Sequence, residues 1–330
     1  MALSFVIIAY NAAKYLSGLL DDLLNQDYSL EEIEVILVDS DSTDATRRIM
    51  SDFQRSHSSL FKRVLVLDNL MRVLPCGWNV ALGTVTTDFI LRVDAHVKLP
   101  TDFISRNIEC MRSGKDICGG RVLSILENDT AWSRTLLAAE NSMFGGGLTY
   151  FRRGESPRYT KTLAFAMYRT RIFKAVGPYN ERLVRTEDND MHYRMRRAGF
   201  KFFFDPEIVS YRYCRNSLRK LLRQKYLNGY WIGRTVGISP ACLSVAYFAP
   251  FGLIISFLVC AVLTCLGWAF PLVALSLVYL LLLAASYAPV ISRREFTGTS
   301  LFLPLFLMLL HLAYGVGIFV GLVKMPFAKK

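Results

Sequence analysis

The sequence predicts an α/β domain built on a mostly parallel, Rossmann-like sheet, followed by an α-helical transmembrane tail. Three observations predict it. Over the first hundred residues short apolar runs alternate with amphipathic stretches, the pattern of repeated βα units. From Thr235 to Ser292 there is no Asp, Glu, Lys, Arg or His, and from Thr297 to Val323 the only ionisable residue is His311. A basic run joins the two parts, with eleven Lys or Arg from Arg194 to Arg234 against Asp205 and Glu207.

The elements follow in order. Leu3 to Ala9, Glu34 to Val38, Arg63 to Leu67 and Asp88 to Val93 are rich in Val, Ile, Leu and Phe, as strands buried on both faces require. No basic region precedes the first run, so it reads as a strand and not as a signal peptide. Leu16, Leu19, Leu20, Leu23 and Leu24 share one helical face, and Ile49 and Phe53 do the same after a Ser42-Thr43-Asp44 start signal. Strands alternating with helices imply a parallel sheet with right-handed crossovers, and such sheets bind ligands at the carboxyl ends of their strands. Tyr10-Asn11, Asp39-Ser40-Asp41, Asp68-Asn69 and Asp94-Ala95-His96 are therefore expected to converge on one crevice. From about Gly119 to Arg234 the pattern loosens into a glycine stretch at Gly145 to Gly147, a helix from Thr186 to Ala198 stopped by Gly199, and an aromatic strand at Phe202 to Phe204.

A span needs about 20 mostly apolar residues. The tail holds three such segments, near 244–268, 270–291 and 301–323. A basic cluster beside a span marks the cytoplasmic side and draws anionic headgroups or a diphosphate. No nucleic-acid motif interleaves it, so no nucleic-acid partner is expected. The expected organisation is a cytoplasmic domain over 1–234, with a nucleotide-binding half at 1–100 and an acceptor half with the basic segment at 101–234. A multi-pass membrane region at 235–330 follows. One conflict stays open: three full spans would place Lys324, Lys329 and Lys330 outside, against the positive-inside tendency. The seven cysteines have no paired short spacing, which argues against a disulfide framework and a zinc site and for a reducing compartment.

Two constellations carry chemistry. In Arg92-Val93-Asp94-Ala95-His96, residues two apart point to one side, so the Asp94 carboxylate and the His96 imidazole can reach one cation. Oxygen plus imidazole suits Mn2+, with Mg2+ also accepted. Thr186-Glu187-Asp188-Asn189-Asp190 opens a helix. Each has a bland alternative, a turn with a surface histidine in the first case and acids placed at a helix N-terminus in the second.

The pieces VIIAYN (6–11), EVILVDSDSTDAT (34–46), VDAH (93–96) and FKAVGPYNERLVRTEDNDMHYRMRRAGFKF (173–202) resemble, in this order and spacing, family 2 glycosyltransferases with the GT-A fold. DNLMRVLPCGWNVAL (68–82), SMFGGG (142–147) and LLRQKYLNGYW (221–231), followed by a membrane tail, resemble bacterial exopolysaccharide transferases of the succinoglycan-biosynthesis type. The resemblance implies an inverting, metal-dependent hexosyltransferase in the inner (plasma) membrane, using a UDP-sugar donor and a lipid-linked glycan acceptor. It assigns Asp188 as catalytic base with Glu187 beside it, and Asp94 and His96 to the metal. It places Ala9, Tyr10, Asn11, Asp39, Asp41, Arg72, Asn79 and Asp94 at the donor, with Asp39 accepting from the uracil ring N–H. Arg223, Gln224 and Trp231 match a motif that holds the acceptor or diphosphate, although its Gln-x-x-Arg-Trp spacing is not kept. Ile8 and Leu70 replace prolines common in the family, at positions that supply no side-chain function. Two other readings are a polyprenyl-phosphate sugar synthase and a non-catalytic, membrane-tethered nucleotide-binding module. His57 and His192 read as surface helix residues, and Gly145 to Gly147 as an acceptor lid.

Overall fold

The computed structural model describes residues 1–142, 145, 149–214, 217–292 and 296–325. Gly146 and Gly147 of the expected lid, Arg293-Arg294, Lys329 and Lys330 lie outside the described residues. In chain order the first elements are β1 (Leu3–Ala9), α1 (Ala13–Leu24), β2 (Ile33–Asp39), α2 (Thr46–His57), β3 (Arg63–Asp68) and α3 (Leu74–Leu82). Then come β4 (Phe89–Asp94), β5 (Val97–Lys98), α4 (Phe103–Arg112), β6 (Ile117–Ile125), α5 (Ala131–Asn141) and α6 (Tyr150–Arg153). They are followed by β7 (Arg158–Thr160), β8 (Met167–Arg169), α7 (Thr170–Val176), α8 (Glu187–Arg197) and β9 (Phe202–Tyr213). The last are α9 (Leu218–Thr235), α10 (Ala249–Cys265), α11 (Phe270–Ala285), α12 (Ala288–Ser292) and α13 (Leu303–Val323).

The chain forms two compact units, Met1–Ile125 with Thr149–Tyr213, and Leu126–Leu148 with Cys214–Lys330. The basic stretch 214–234 thus groups with the apolar helices rather than with the sheet. In the first unit a nine-stranded sheet runs β3-β2-β1-β4-β8-β6-β9-β5, with β7 also on β9. The first four strands of that order are parallel, as the βα repeat dictates. All seven residues of β1 and of β2 are buried, because each face packs against helices. Leu3, Phe5 and Ile7 meet the apolar face of α1 in one core, while Val6 and Ile8 meet Trp78 and Ala81 of α3 and Met191 and Met195 of α8 in the other.

Beyond β4 the sheet turns mixed. β8 is antiparallel to both β4 and β6, and β6 is parallel to β9 with a shift in register between Gly119 and Arg121. A Cβ on Gly120 would collide with the Ile208 and Asp205 carbonyl oxygens, so only glycine lets the two backbones approach at this shift.

In the second unit the candidate spans are Val245–Cys265, Phe270–Ser292 and Gly298–Val323, each long and apolar enough to cross a bilayer. α9 and α13 interlock through glycines. A Cβ on Gly229 would strike the Tyr314 carbonyl, and one on Gly317 or Gly321 would strike the carbonyl of Tyr226 or Tyr230.

One cysteine expectation is corrected. Cys110 at the end of α4 and Cys118 in β6 form a disulfide with their Cα atoms 6.3 Å apart. Their separation of eight residues gave no sign of this, because the tight turn after α4 returns the chain beside the helix it has just left.

Candidate active site

The parallel strands end in register. Ala9, Asp39 and Asp68 lie on one rung and Asp94 pairs with Ile8 one residue earlier, so four strand ends form one edge. The links above that edge continue the ladder, with the Ser40 N–H donating to Ala9 O and the Asn69 N–H to Asp39 O, both at 2.8 Å. Three of the expected donor residues, Asn11, Asp41 and Arg72, have left-handed backbones at φ 49°, 58° and 58°. Such a conformation in a non-glycine residue costs on the order of 1–3 kcal/mol and persists only where neighbours over-determine it.

The neighbours here are specific. Asn11 donates its N–H to Ser42 Oγ at 2.9 Å, and its Oδ1 accepts the Thr43 N–H at 2.8 Å. Arg72 closes on Asp41 with Nε to Oδ2 at 2.7 Å and a second guanidinium contact. Asp39 is buried, its carboxylate accepting the Ser42 N–H at 3.3 and 3.4 Å. Tyr10 keeps 53% of its surface exposed beside this cage. Asn79 goes elsewhere: its amide accepts the Tyr179 N–H at 2.8 Å and donates to Tyr179 O and Glu181 Oε1 at 3.0 and 2.8 Å. It brackets the 177–181 turn that precedes α8.

A second group gathers where β4 faces the start of α8. Arg92 lies over the Trp78 ring at 5.1 Å, with its guanidinium 3.6 Å from Glu187 Oε1. Glu187 is buried, and its Oε2 has no hydrogen-bond partner among the described residues. Burial, then the Asp188 charge, push its carboxyl up to about 8, against the pull of Arg92. Asp188 is partly buried and accepts the Asn189 N–H at 2.8 Å. Burial raises its pKa too, Arg92 opposing and Asp94 adding to the rise. Asp94, Glu187, Asp188 and Arg92 are thus close enough to feel one another's charge.

His192, expected at the surface, is buried. Its Nδ1 lies 2.8 Å from Thr162 Oγ1 and its Nε2 3.0 Å from Tyr168 Oη. Burial, then the nearby Arg92 and Arg196 charges, hold its pKa well below the ordinary value, so the ring stays neutral. It shares the buried side of α8 with Met191 and Met195, and that spacing was the signal available in the sequence. Arg92 was missed as well, although a lone cation in the doubly buried run FILRVD demands a partner.

The residues fit a divalent cation shared with a ligand. Asp94 is partly buried, and its carboxylate takes no hydrogen bond or ion pair among the described residues. His96 follows in the two-residue turn between β4 and β5. Among the described residues no cluster of three or more His, Cys, Asp or Glu could hold a metal by itself. Two protein donors suit an ion whose remaining ligands are phosphate oxygens and water. Arg223, Gln224 and Trp231 lie on α9 in the second unit. There Arg223 is exposed, Gln224 Oε1 is buried without a partner among the described residues, and Trp231 meets Tyr230 edge-on at 5.8 Å.

A family model described as glycosyl transferase family 2 matches residues 4–177. The chain is 26% identical over 330 residues to dolichyl N-acetyl-alpha-D-glucosaminyl phosphate 3-beta-D-2,3-diacetamido-2,3-dideoxy-beta-D-glucuronosyltransferase of Methanococcus voltae, covering 98% of this chain and 97% of that protein. It is 29% identical over 232 residues to succinoglycan biosynthesis protein ExoA of Rhizobium meliloti, covering 69% of this chain and 68% of that one. Among solved structures, mannosyltransferase PcManGT of Pyrobaculum calidifontis with GDP-Man and Mn2+ aligns over 99% of this chain and 88% of its own, at 15% identity and a TM-score of 0.59. S. aureus TarS 1–349 with UDP-GlcNAc aligns over 70% of this chain and 66% of its own, at 19% identity and a TM-score of 0.51. These structural likenesses carry the fold, which is the expected GT-A arrangement. With the family match running from β1 through α7, the chain belongs to glycosyl transferase family 2.

Proposed function

We propose that the chain moves one hexose from a UDP-sugar to a polyprenyl-diphosphate-linked glycan, with inversion, during polysaccharide biosynthesis. The observation that carries the reading is the Glu187–Asp188 pair at the start of α8, within electrostatic reach of Asp94 at the strand edge. Inversion needs one base on the far side of the sugar ring from the leaving diphosphate. Asp188 is that base: partly exposed, and with burial raising its pKa it is a stronger proton acceptor than an ordinary aspartate. Glu187 is neutral at the same pH and serves as a buried neighbour. Asp39 takes the uracil N–H, Tyr10 offers its exposed ring to the base, and the Arg72–Asp41 clasp fixes the loop over the strand ends. Asp94 and His96 would hold Mn2+ or Mg2+, which when bound neutralises charge on the departing diphosphate.

The Methanococcus and Rhizobium relatives support a lipid-linked acceptor, since the first is named for a dolichyl-phosphate-linked sugar and the second for exopolysaccharide assembly. The basic stretch beside the apolar helices supports a multi-pass protein of the inner (plasma) membrane with residues 1–234 cytoplasmic. With one disulfide in the catalytic unit, that orientation rests on charge and not on cysteine redox state.

The test is release of uridine diphosphate from a panel of nucleotide sugars by the full-length protein in nanodiscs, with a lipid-linked acceptor. Divalent-dependent turnover of one donor is expected. Asp188→Asn should lower it about 10²–10⁴-fold, the usual worth of a general base. Asp188→Asn turnover within a few-fold of wild type would remove the base assignment.

A further inference from the structure

The third apolar segment has the length and composition of a span, but its contacts are not those of one. α10 and α11 form an antiparallel hairpin whose turn is solvent-facing and apolar, with Leu266 71%, Trp268 69% and Phe270 81% exposed. A helix spanning beside this hairpin would follow one leg from base to tip. α13 instead passes from one leg to the other within the half nearest the hairpin's open end. In its first turns Leu303, Phe306, Leu307 and Leu310 share one buried cluster with Leu283 and Val290, and with Leu136 and Ala139 of α5 and Leu221 of α9. His311 Nδ1 then meets Tyr279 Oη at 2.8 Å, and Tyr279 in turn packs on Phe257 of α10. Gly315 and Phe319 finally reach Pro250, Ile254 and Phe251 at the start of α10.

Both ends of α13 are polar and anchored. The Thr299 hydroxyl, just before α13, donates to Ala131 O at 2.8 Å and lies 2.9 Å from Thr135 Oγ1. These are residues of α5, which opens on the Asp129–Arg134 ion pair. At the other end the Arg234 guanidinium donates to Lys324 O at 3.4 Å, and Arg234 and Lys324 both lie about 6 Å from the Tyr230 ring, at 6.0 and 5.9 Å. Between these ends α9 runs parallel to α13, Tyr226 at Gly317 and Arg234 at Gly321. If α13 crossed the bilayer, α9 would be carried across with it. Yet only eight residues separate Lys225 from Arg234. They make about 12 Å of helix against about 30 Å of hydrocarbon.

The free face of α13 completes the picture. Leu305, Met308, Leu312 and Val316 are 40–51% exposed and recur every three or four residues, opposite the face that packs on α9. We propose that α13 lies in the plane of the membrane interface, this stripe against the acyl chains. Only the α10–α11 hairpin crosses, and α13 ends on the face where α9 begins. Arg234, Lys324, Tyr230 and Trp231 then form a cationic and aromatic end that sits among anionic headgroups. The arrangement also removes the charge conflict at the C-terminal lysines, since Lys324 stays on the side of the basic stretch.

The inference does not depend on the reaction, and its test needs no turnover. Full-length protein carries one epitope at the N-terminus, between Leu266 and Ala269, or at the C-terminus, and is probed with an impermeant antibody in right-side-out and inverted membrane vesicles. The N- and C-terminal epitopes are expected on one side and the 266–269 epitope on the other. An N-terminal and a C-terminal epitope on opposite sides would show that α13 crosses and overturn the proposal. A 266–269 epitope on the same side as the N-terminus would overturn the crossing hairpin.

Discussion

Glu187 and Asp188 are adjacent in sequence and differ in surroundings: one carboxyl is buried beside Arg92, the other partly open. The difference has a measurable sign. Burial first, then the Asp188 charge, raise the Glu187 pKa from the ordinary 4.5 to about 8. Between those values the native state keeps a proton that the unfolded chain has released, so stability falls as pH climbs through the window. A glutamine in its place would stay neutral throughout. Wild type is therefore expected to lose about 4 °C or more in melting temperature between pH 6 and 8.5 beyond what Glu187→Gln loses, by thermal unfolding in one detergent. Parallel pH profiles for the two proteins would show that Glu187 is ionised in the fold. At this scale the sequence exposed the acids, since four strand ends and one helix start carried them, but not Arg92, Trp78 and Tyr179 around them. Trp78 and Arg92 lie 87 to 110 positions before Tyr179, Glu187 and Asp188, and only the packed sheet brings the two groups together.

Among elements, the four parallel strands were legible because burial on both faces leaves a continuous apolar run in the sequence. β8 and β5 were not. They are three and two residues long, and long-range pairing with β4, β6 and β9 sets them. The α9–α13 pairing was equally hidden, since Gly229, Gly233, Gly317 and Gly321 acquire meaning only when two distant helices meet. Its consequence is testable. A methyl group on Gly317 would press into the Tyr226 carbonyl, whereas one on Gly252 meets nothing within 4 Å. Gly317→Ala is expected to destabilise the protein by about 1–3 kcal/mol, the usual cost of overpacking. Gly252→Ala should be neutral or slightly stabilising, since it replaces a helical glycine. Chemical denaturation in micelles compares them, and equal midpoints would mean that the two helices do not touch as described.

For the whole molecule two forces could hold the protein on a membrane, and they respond oppositely to salt. The formal net charge is +12, with a dense basic stretch just before the apolar helices in the sequence, and such charge binds anionic headgroups without entering the hydrocarbon. The α10–α11 hairpin is the other force, apolar along both legs and none of it buried inside the protein over the first. At about 1 M salt the screening length falls to roughly 3 Å, which removes the first and leaves the second intact. Vesicles carrying the full-length protein are therefore expected to retain it through washes in high salt and alkaline carbonate, and to release it only to detergent. Neutralising Arg219, Lys220 and Arg223 together should weaken the preference for anionic lipid without changing that retention. Release of most of the protein by salt alone would mean that charge is the anchor, that the hairpin does not cross, and that the apolar helices meet some surface other than acyl chains.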